Sequence, residues 1–505
     1  MVKSREKKLI IGTLILTIFG FVGKVLGAVF KIGLTAVVGS YGIGVYQLLF
    51  PVLVFFIVFS SEGFSSALTV RQAEHPEKGR SYFVLSIISS LVVSGVSFIM
   101  IMIISAFFAN LQGVLIEWQL YLIVGVGVFI ISLLSINKAR IRGEERFVAY
   151  SLFETLEDVL KVVFALILAW ILKPYGINGA VTGIFIGIVL SSFVTLIIIC
   201  LYKPKNTAFE KSKLTKNDRT DFFKYSLLSM AGIIIIPAIQ FIESTIVIRL
   251  MVNLNVTNVL ATKLYGISRG SVSAIINLPF FLVGALEVLL LPNLSRSKNN
   301  GIYFKKTRIC LFFAIALSLP FVLGFMMFSS EIVELLYGRS LTANELLVAS
   351  NLLKIGAVGV LFASITSFLI VILNSNNKTF PPFIANLIGG VLKILFIVLM
   401  VPKLSIYAIE LGSVLFSMVV CLVNLIFAIK YRVIEKPRYI LLVTIFWFIV
   451  FAFLSFIYNI LKPLFISNII SLLCSLLVAV LVICALSFIV FLFLKRKQNS
   501  TVLKD

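Results

Sequence analysis

The stretch GKVLGAVFKIGLTAVVGSYGIGVYQLLFP, residues 23–51, carries two lysines and several glycines in an otherwise apolar run. Lys24 and Lys31 are seven residues apart, so they lie on nearly the same face of a helix. Charges inside a membrane are costly and normally face a cavity. The stretch therefore predicts a transmembrane helix that offers ammonium groups to an anion. Two alternatives stay open: Gly23 and Gly27 could serve only helix packing, and Lys31 could snorkel outward.

The composition outside this stretch is also that of a membrane protein. The chain has 505 residues, of which 60% are hydrophobic and 13% charged, about half the charged share of a typical soluble domain. The five cysteines show no CxxC or Cys/His spacing, and the single histidine, His75, lies in a polar loop. We therefore predict no disulfide framework, metal site, cofactor or catalytic residue.

Apolar stretches long enough to cross a bilayer predict an all-α integral membrane protein with about fourteen transmembrane helices. These spans lie near residues 10–37, 43–69, 82–109, 119–137, 152–172, 178–202, 222–251, 262–291, 308–330, 346–374, 380–401, 405–429, 439–461 and 465–494.

The basic residues predict the orientation of the spans. If the N-terminus is cytoplasmic, most of the 44 lysines and arginines fall in cytoplasmic connections. The opposite connections hold only Lys173, Arg339, Lys403 and Lys462. This asymmetry obeys the positive-inside rule and predicts that both termini are cytoplasmic. It also explains the net charge of +23 without nucleic acid, because basic loops face an anionic leaflet.

An internal repeat predicts two lobes. Val159-Leu160-Lys161 recurs as Val391-Leu392-Lys393, and Tyr175 and Tyr407 follow the two lysines at equal distances. The offset covers an even number of spans, which is typical of two pseudo-twofold lobes around a central cavity. We expect an N-lobe of six spans at 1–202, a cytoplasmic linker at 203–224 and a C-lobe of six spans at 225–432. Residues 433–505 add two extra C-terminal helices and a cytoplasmic tail.

Further charges lie inside the predicted spans. They are Glu62 in span 2, Glu243 and Arg249 in span 7, and Arg269 in span 8. Glu243 could pair with a span-1 lysine in the empty state, or serve a structural ion pair, and Arg269 could be only interfacial. Structural pairing is favoured for Lys161 and Lys393, and Glu410 is interpreted as interfacial. Lysine and arginine in a cavity suit phosphate or pyrophosphate, whereas the two carboxylates leave a cationic cargo open.

Three segments resemble the MurJ/SpoVB-type flippases of the MOP superfamily. Residues 23–51 are similar to their opening, 265–297 (YGISRGSVSAIINLPFFLVGALEVLLLPNLSRS) to their eighth span, and 373–393 (LNSNNKTFPPFIANLIGGVLK) to the turn between spans 10 and 11. The resemblance implies a two-lobed rocker with alternating access. Lys24 matches the position of a cavity arginine in that family, and Glu62-Gly63-Phe64 resembles its span-2 motif.

The resemblance also implies the cargo. This would be an undecaprenyl-pyrophosphate-linked cell-envelope precursor at a bacterial plasma membrane, with lipid II first and a capsular or exopolysaccharide repeat unit as the alternative. Membrane lipids and a coupling ion, Na+ or H+, are the other expected partners. No Walker-type loop or Ser/His arrangement predicts an enzyme. A MATE-type multidrug/cation antiporter and a scaffold without transport remain the alternatives from other classes.

Overall fold

The computed structural model describes residues 2–112, 118–202, 214–280, 283–284, 294, 303–376 and 378–434. The described helices are α1 (Val2–Ile57), α2 (Gly63–Glu74), α3 (Gly79–Gln112), α4 (Trp118–Gly143), α5 (Phe147–Leu172), α6 (Gly176–Leu201), α7 (Lys216–Val252), α8 (Asn258–Gly266), α9 (Ser273–Ile276), α10 (Tyr303–Met327), α11 (Ser329–Tyr337), α12 (Ala343–Ser375), α13 (Phe380–Leu404) and α14 (Tyr407–Lys430). The two expected C-terminal spans, and residues 203–213 of the expected linker, lie outside the described residues.

Within the described residues, nine helical stretches are long and apolar enough to cross a membrane. Two of them cover parts of two expected spans each: Val25–Glu74 includes residues 25–37 of the first span and all of the second, and Phe147–Leu201 corresponds to the fifth and sixth. In the first stretch, Gly39 (φ 70°, ψ −175°) breaks α1 where the sequence predicts a turn, because glycine adopts a positive φ without steric cost. The predicted all-α, multi-span membrane fold is confirmed.

Several helix bounds differ from the predicted spans for local reasons. α7 begins at Lys216, inside the expected linker, because Thr215 and Asp218 form a capping box at its start. The expected span 8 is interrupted by π-helical Ile267–Val272 and by a turn after Ile276. That turn precedes Pro279, which lacks an N–H and disfavours helix before it. α11 is a helix that the sequence analysis did not predict.

Two close approaches join the first six spans to the later ones. At the end nearest Gly39, a Cβ on Gly44 would lie 2.2 Å from the Thr262 carbonyl oxygen, so only glycine fits between α1 and α8. At the opposite end, a Cβ on Gly63 would lie 2.5 Å from the Ser226 carbonyl oxygen. α2 and α7 therefore touch through their backbones there.

A polar contact lies near each of these two close helix contacts. In both cases it is made by the acidic residue of a helix capping box. Asp218 accepts a hydrogen bond from the Thr215 backbone at 2.9 Å and forms an ion pair with Lys78 at 2.8 Å. Glu345 accepts a hydrogen bond from the Thr342 backbone at 2.9 Å and one from the Ser40 hydroxyl at 2.6 Å. Each carboxylate thus starts its own helix and also binds the other half of the chain.

Candidate functional site

A cavity of about 340 Å³ lies between α1 and the helices of the second half of the chain. Its charged lining residues are Lys31, Glu243, Arg269, Lys393 and Glu410. Neutral polar groups line it as well, among them Gln47, Gln240, Ser273, Asn277 and Ser413. The remaining lining is mostly apolar, with Phe50, Ile239, Phe280 and Phe416 as its larger members.

Glu243 on α7 is the most strongly bonded charge of the cavity. Its side chain is 2% exposed and accepts two hydrogen bonds from Arg269, from Nε and, at 3.0 Å, from Nη2. Lys393 Nζ of α13 lies 2.7 Å from Oε2, the oxygen that also accepts from Arg269 Nη2. Two cations therefore compensate one carboxylate, as a charge buried in a membrane protein requires.

Arg269 is held at the centre of the network by its local backbone. It lies in the π-helical segment Ile267–Val272, an irregularity that is frequent at functional sites. Its Nη2 also donates to the Ser413 hydroxyl at 2.9 Å and to the Ile409 carbonyl at 3.3 Å. The guanidinium thereby joins α7 to α14 across the cavity wall.

Glu410 on α14 is the second carboxylate, and its partners are weaker. The Ser268 hydroxyl donates to Oε2 at 3.2 Å, and Arg269 Nη1 lies 3.9 Å from the same oxygen. A Cβ on Gly356 of α12 would lie 2.7 Å from Oε1. Glu410 is thus buried against backbone, and among the described residues Arg269 is the one cation within 4 Å of its carboxylate.

Lys31 on α1 reaches the cavity from the opposite wall. Its Nζ donates to the Ser273 hydroxyl at 3.1 Å and to the Arg269 carbonyl at 3.5 Å. No carboxylate within the described residues forms an ion pair with it. The lining therefore has three cations against two carboxylates, and among the described residues Lys31 is the lining cation that pairs with neither of them.

The structure brings together three of the predicted site residues: Lys31, Glu243 and Arg269. Glu243 pairs with Arg269 and Lys393 rather than with the span-1 lysine that the sequence suggested. Glu62 lies outside this lining and accepts a hydrogen bond from Ser135 at 3.2 Å.

The other two predicted residues are not part of this group. Arg249 is exposed in the last turn of α7 and is absent from the cavity lining. Lys24 belongs to α1, but its side chain lies outside the part of the chain that the structure describes.

Two cavity residues were missed by the sequence reasoning. Glu410, which the sequence analysis interpreted as interfacial, is buried in the protein, with 4% of its surface exposed. Lys393 does form an ion pair, as its repeat suggested, but this pair lines the cavity. The sequence signal that could have indicated this cluster is the presence of two acidic and two basic residues in spans 7, 8, 11 and 12, which are Glu243, Arg269, Lys393 and Glu410. Within the described residues, no cluster of acids, cysteines or histidines could hold a metal ion.

Comparisons with known proteins agree with this architecture. The chain is similar to stage V sporulation protein B of Bacillus subtilis (strain 168), with 24% identity over 436 residues, 82% of each chain. It is 22% identical to the lipid II flippase MurJ of the same organism over 79% of this chain and 78% of that protein. A solved structure of lipid II flippase MurJ in an inward closed conformation superposes with a TM-score of 0.74 at 17% identity, covering 95% of this chain and 99% of that chain.

The family model described as "Polysaccharide biosynthesis protein" matches residues 9–298, more than half of the chain. The fold likeness to MurJ and the order of the spans agree with that match. The chain therefore belongs to the polysaccharide biosynthesis protein family.

Proposed function

We propose that this protein is a flippase for an undecaprenyl-pyrophosphate-linked cell-envelope precursor, with lipid II as the first candidate cargo. It would work by alternating access in a bacterial plasma membrane, with both termini in the cytoplasm. The cargo would enter from the cytoplasmic leaflet, and its phosphates would bind to cavity cations. Membrane lipids and a coupling ion are the other partners of this cycle.

The observation that carries the proposal is the surplus cation of the cavity. Arg269 and Lys393 compensate Glu243, whereas Lys31 is bonded only to a hydroxyl and a carbonyl. An ammonium group in a partly apolar cavity gains most from an oxyanion, which supplies a charge-assisted hydrogen bond. Lys24, which the helical period places on nearly the same face of α1 as Lys31, is the candidate second ligand.

The same charge balance argues against a multidrug antiporter. A cavity for an organic cation needs a carboxylate that is free to bind it. Glu243 is already occupied by Arg269 and Lys393, and Glu410 lies beside the same guanidinium. A second cation would be repelled, so an anionic cargo fits better. A scaffold without transport would give these buried charges no reason to line a cavity.

Among the anionic cargoes, lipid II is preferred because the lipid II flippase MurJ resembles this chain in both sequence and fold. A capsular or exopolysaccharide repeat unit on the same lipid carrier has the same pyrophosphate. The cavity charges would bind either cargo, so the saccharide must be identified by experiment.

The test is complementation of a strain whose lipid II flippase can be switched off. The wild-type chain should restore growth, and Lys31→Ala and Lys24→Ala should not. Loss of a charge-assisted bond should weaken affinity for the pyrophosphate about 10- to 100-fold. Lys354→Ala, which removes an exposed lysine of α12, is the matched control and should grow like wild type.

Each other outcome has a definite meaning, provided that immunoblots show equal insertion in the membrane. Growth of Lys31→Ala at the wild-type rate would reject the anion site. Failure of the wild-type chain would reject lipid II in favour of another lipid-linked saccharide. Resistance to organic cations that depends on Glu243 would support the antiporter instead.

A further inference from the structure

The two carboxylates of the cavity are compensated unequally. Glu243 has close contacts with two cations, Arg269 and Lys393. Glu410 has one neutral donor at 3.2 Å and one cation, Arg269, at 3.9 Å. Both side chains are at most 5% exposed. The ionised form of Glu410 is therefore stabilised mainly by Arg269, and Arg269 binds Glu243 more closely.

An anion bound in the cavity would change how Arg269 is divided between Glu243 and Glu410. Arg269 and Lys31 are neighbours, since Lys31 Nζ donates to the Arg269 carbonyl at 3.5 Å. Among the described ion pairs, the Arg269 Nη1 atom has one partner, Glu410, at 3.9 Å. A phosphate bound by Lys31 would attract this atom away from Glu410. Glu410 would then have only Lys393, beyond ion-pair distance, as a compensating cation. A buried carboxylate with so little compensation becomes neutral by binding a proton.

We propose that Glu410 is a proton-binding site that takes up one proton when a pyrophosphate group enters the cavity. The step converts the carboxylate to a carboxylic acid by forming one O–H bond, and the proton is supplied by the buffered solvent that reaches the cavity. The inference rests on the proposed function, because it assumes an anionic cargo. It identifies the coupling ion of that function as a proton.

The surroundings of Glu410 favour a proton over a metal ion. Arg269 of the π-helical segment and Lys393 of α13 repel a further cation. Glu243 of α7 adds a negative charge but is itself paired, and Ser268 supplies only a hydroxyl. On the α12 side, Gly356 approaches so closely that a methyl group would lie 2.7 Å from Oε1. A proton needs no space there, whereas a metal ion needs several ligands at about 2.3–2.6 Å, as calcium does.

The experiment measures proton uptake during binding. Purified full-length protein is titrated with farnesyl pyrophosphate, a short polyprenyl pyrophosphate, by calorimetry at neutral pH in buffers of different ionisation enthalpy. The dependence of the binding heat on the buffer gives the number of protons taken up. Relative to Glu410→Gln, the wild type should take up about one more proton per ligand, because only it has the titrating group. Glu334→Gln, which changes an exposed carboxylate of α11, should match the wild type.

The outcomes separate the inference from the proposed function. Binding by wild type with the same proton uptake as Glu410→Gln would overturn the inference and leave the anion site intact. Binding that requires sodium without extra proton uptake would overturn it in favour of a metal ion. If the wild type binds no farnesyl pyrophosphate, the anion site of the proposed function fails, and the inference falls with it.

A second measurement needs no variant and covers the case in which Glu410→Gln does not fold. Infrared difference spectra of the wild-type protein should gain the carbonyl stretch of a protonated carboxyl group when farnesyl pyrophosphate is added. The band should shift in deuterated water. Ligand binding without such a band would overturn the inference by itself.

Discussion

Lys161 and Lys393 occupy corresponding positions of the repeat, but their ion pairs should contribute differently to the stability of the fold. Lys161 binds Asp158 of its own helix at 2.5 Å and keeps 29% of its side chain exposed. Lys393 binds Glu243 of another helix and is 9% exposed. An exposed pair within one helix contributes little stability, whereas breaking a buried pair leaves an uncompensated charge.

We therefore predict that Lys393→Ala lowers the free energy of unfolding by more than Lys161→Ala, for which the loss should be less than about 1 kcal/mol. Glu243 keeps its bonds to Arg269, so the loss in Lys393→Ala should stay below the about 3–5 kcal/mol of a buried charge left without any partner. Thermal unfolding in detergent, followed by intrinsic fluorescence, measures the difference. Equal melting temperatures for the two single variants would contradict the buried-pair interpretation.

At this scale the sequence predicted some site residues and missed others for one reason. Intramembrane charges can be recognised in an apolar run, and this led to Lys31, Glu243 and Arg269. The burial of Glu410 was missed because the distance of a residue from the end of a span does not reveal which helix packs beside it. α12 covers Glu410 through Gly356, and that tertiary contact has no local sequence signal.

At the scale of helices, glycines decide where the two halves of the chain can touch. Gly63 of α2 contacts the backbone of α7 so closely that a Cβ would lie 2.5 Å from the Ser226 carbonyl oxygen. Gly232, further along α7, has open space within 4 Å of the position that a Cβ would take. The two positions therefore form a matched pair for testing close packing.

We predict that Gly63→Ala separates α2 from α7, because a backbone carbonyl cannot move aside as a side chain can. The readout is the rate at which a short bismaleimide joins cysteines substituted for Lys78 and Asp218 in a cysteine-free chain. That rate should fall several-fold in Gly63→Ala. Gly232→Ala is the control and should leave it unchanged; an unchanged rate in both would mean that the helices adjust without separating.

At the scale of the whole molecule, the chain is held together at both ends of the cavity. Lys78 and Asp218 close the end that is expected to face the cytoplasm, and Ser40 and Glu345 close the other. Alternating access would require these contacts to open in turn. Hydropathy predicted the order of the spans that the structure describes, because about 20 apolar residues are needed to cross a bilayer. It could not predict these contacts, which join residues far apart in the chain.

We predict that a bismaleimide between cysteines at 78 and 218 stops transport, and that one between 40 and 345 does so as well. A cross-link between cysteines at 71 and 74, which lie on one helix, is the control and should leave transport intact. Transport is measured as growth of the complemented strain and as cargo access in vesicles. Full activity with both end contacts cross-linked would exclude alternating access through these ends.

The capping boxes of α7 and α12 affect the conformational entropy that is lost when the contacts at the two ends of the cavity form. Asp218 and Glu345 are already oriented by Thr215 and Thr342 at their own helix starts, so their rotamers need not be fixed again at each closure. Only the partner side chain loses freedom. A lysine gives up about 1.5–2 kcal/mol of rotamer entropy, and a serine, with a much shorter side chain, gives up far less. The Ser40 end of the molecule should therefore close at a lower entropic cost than the Lys78 end.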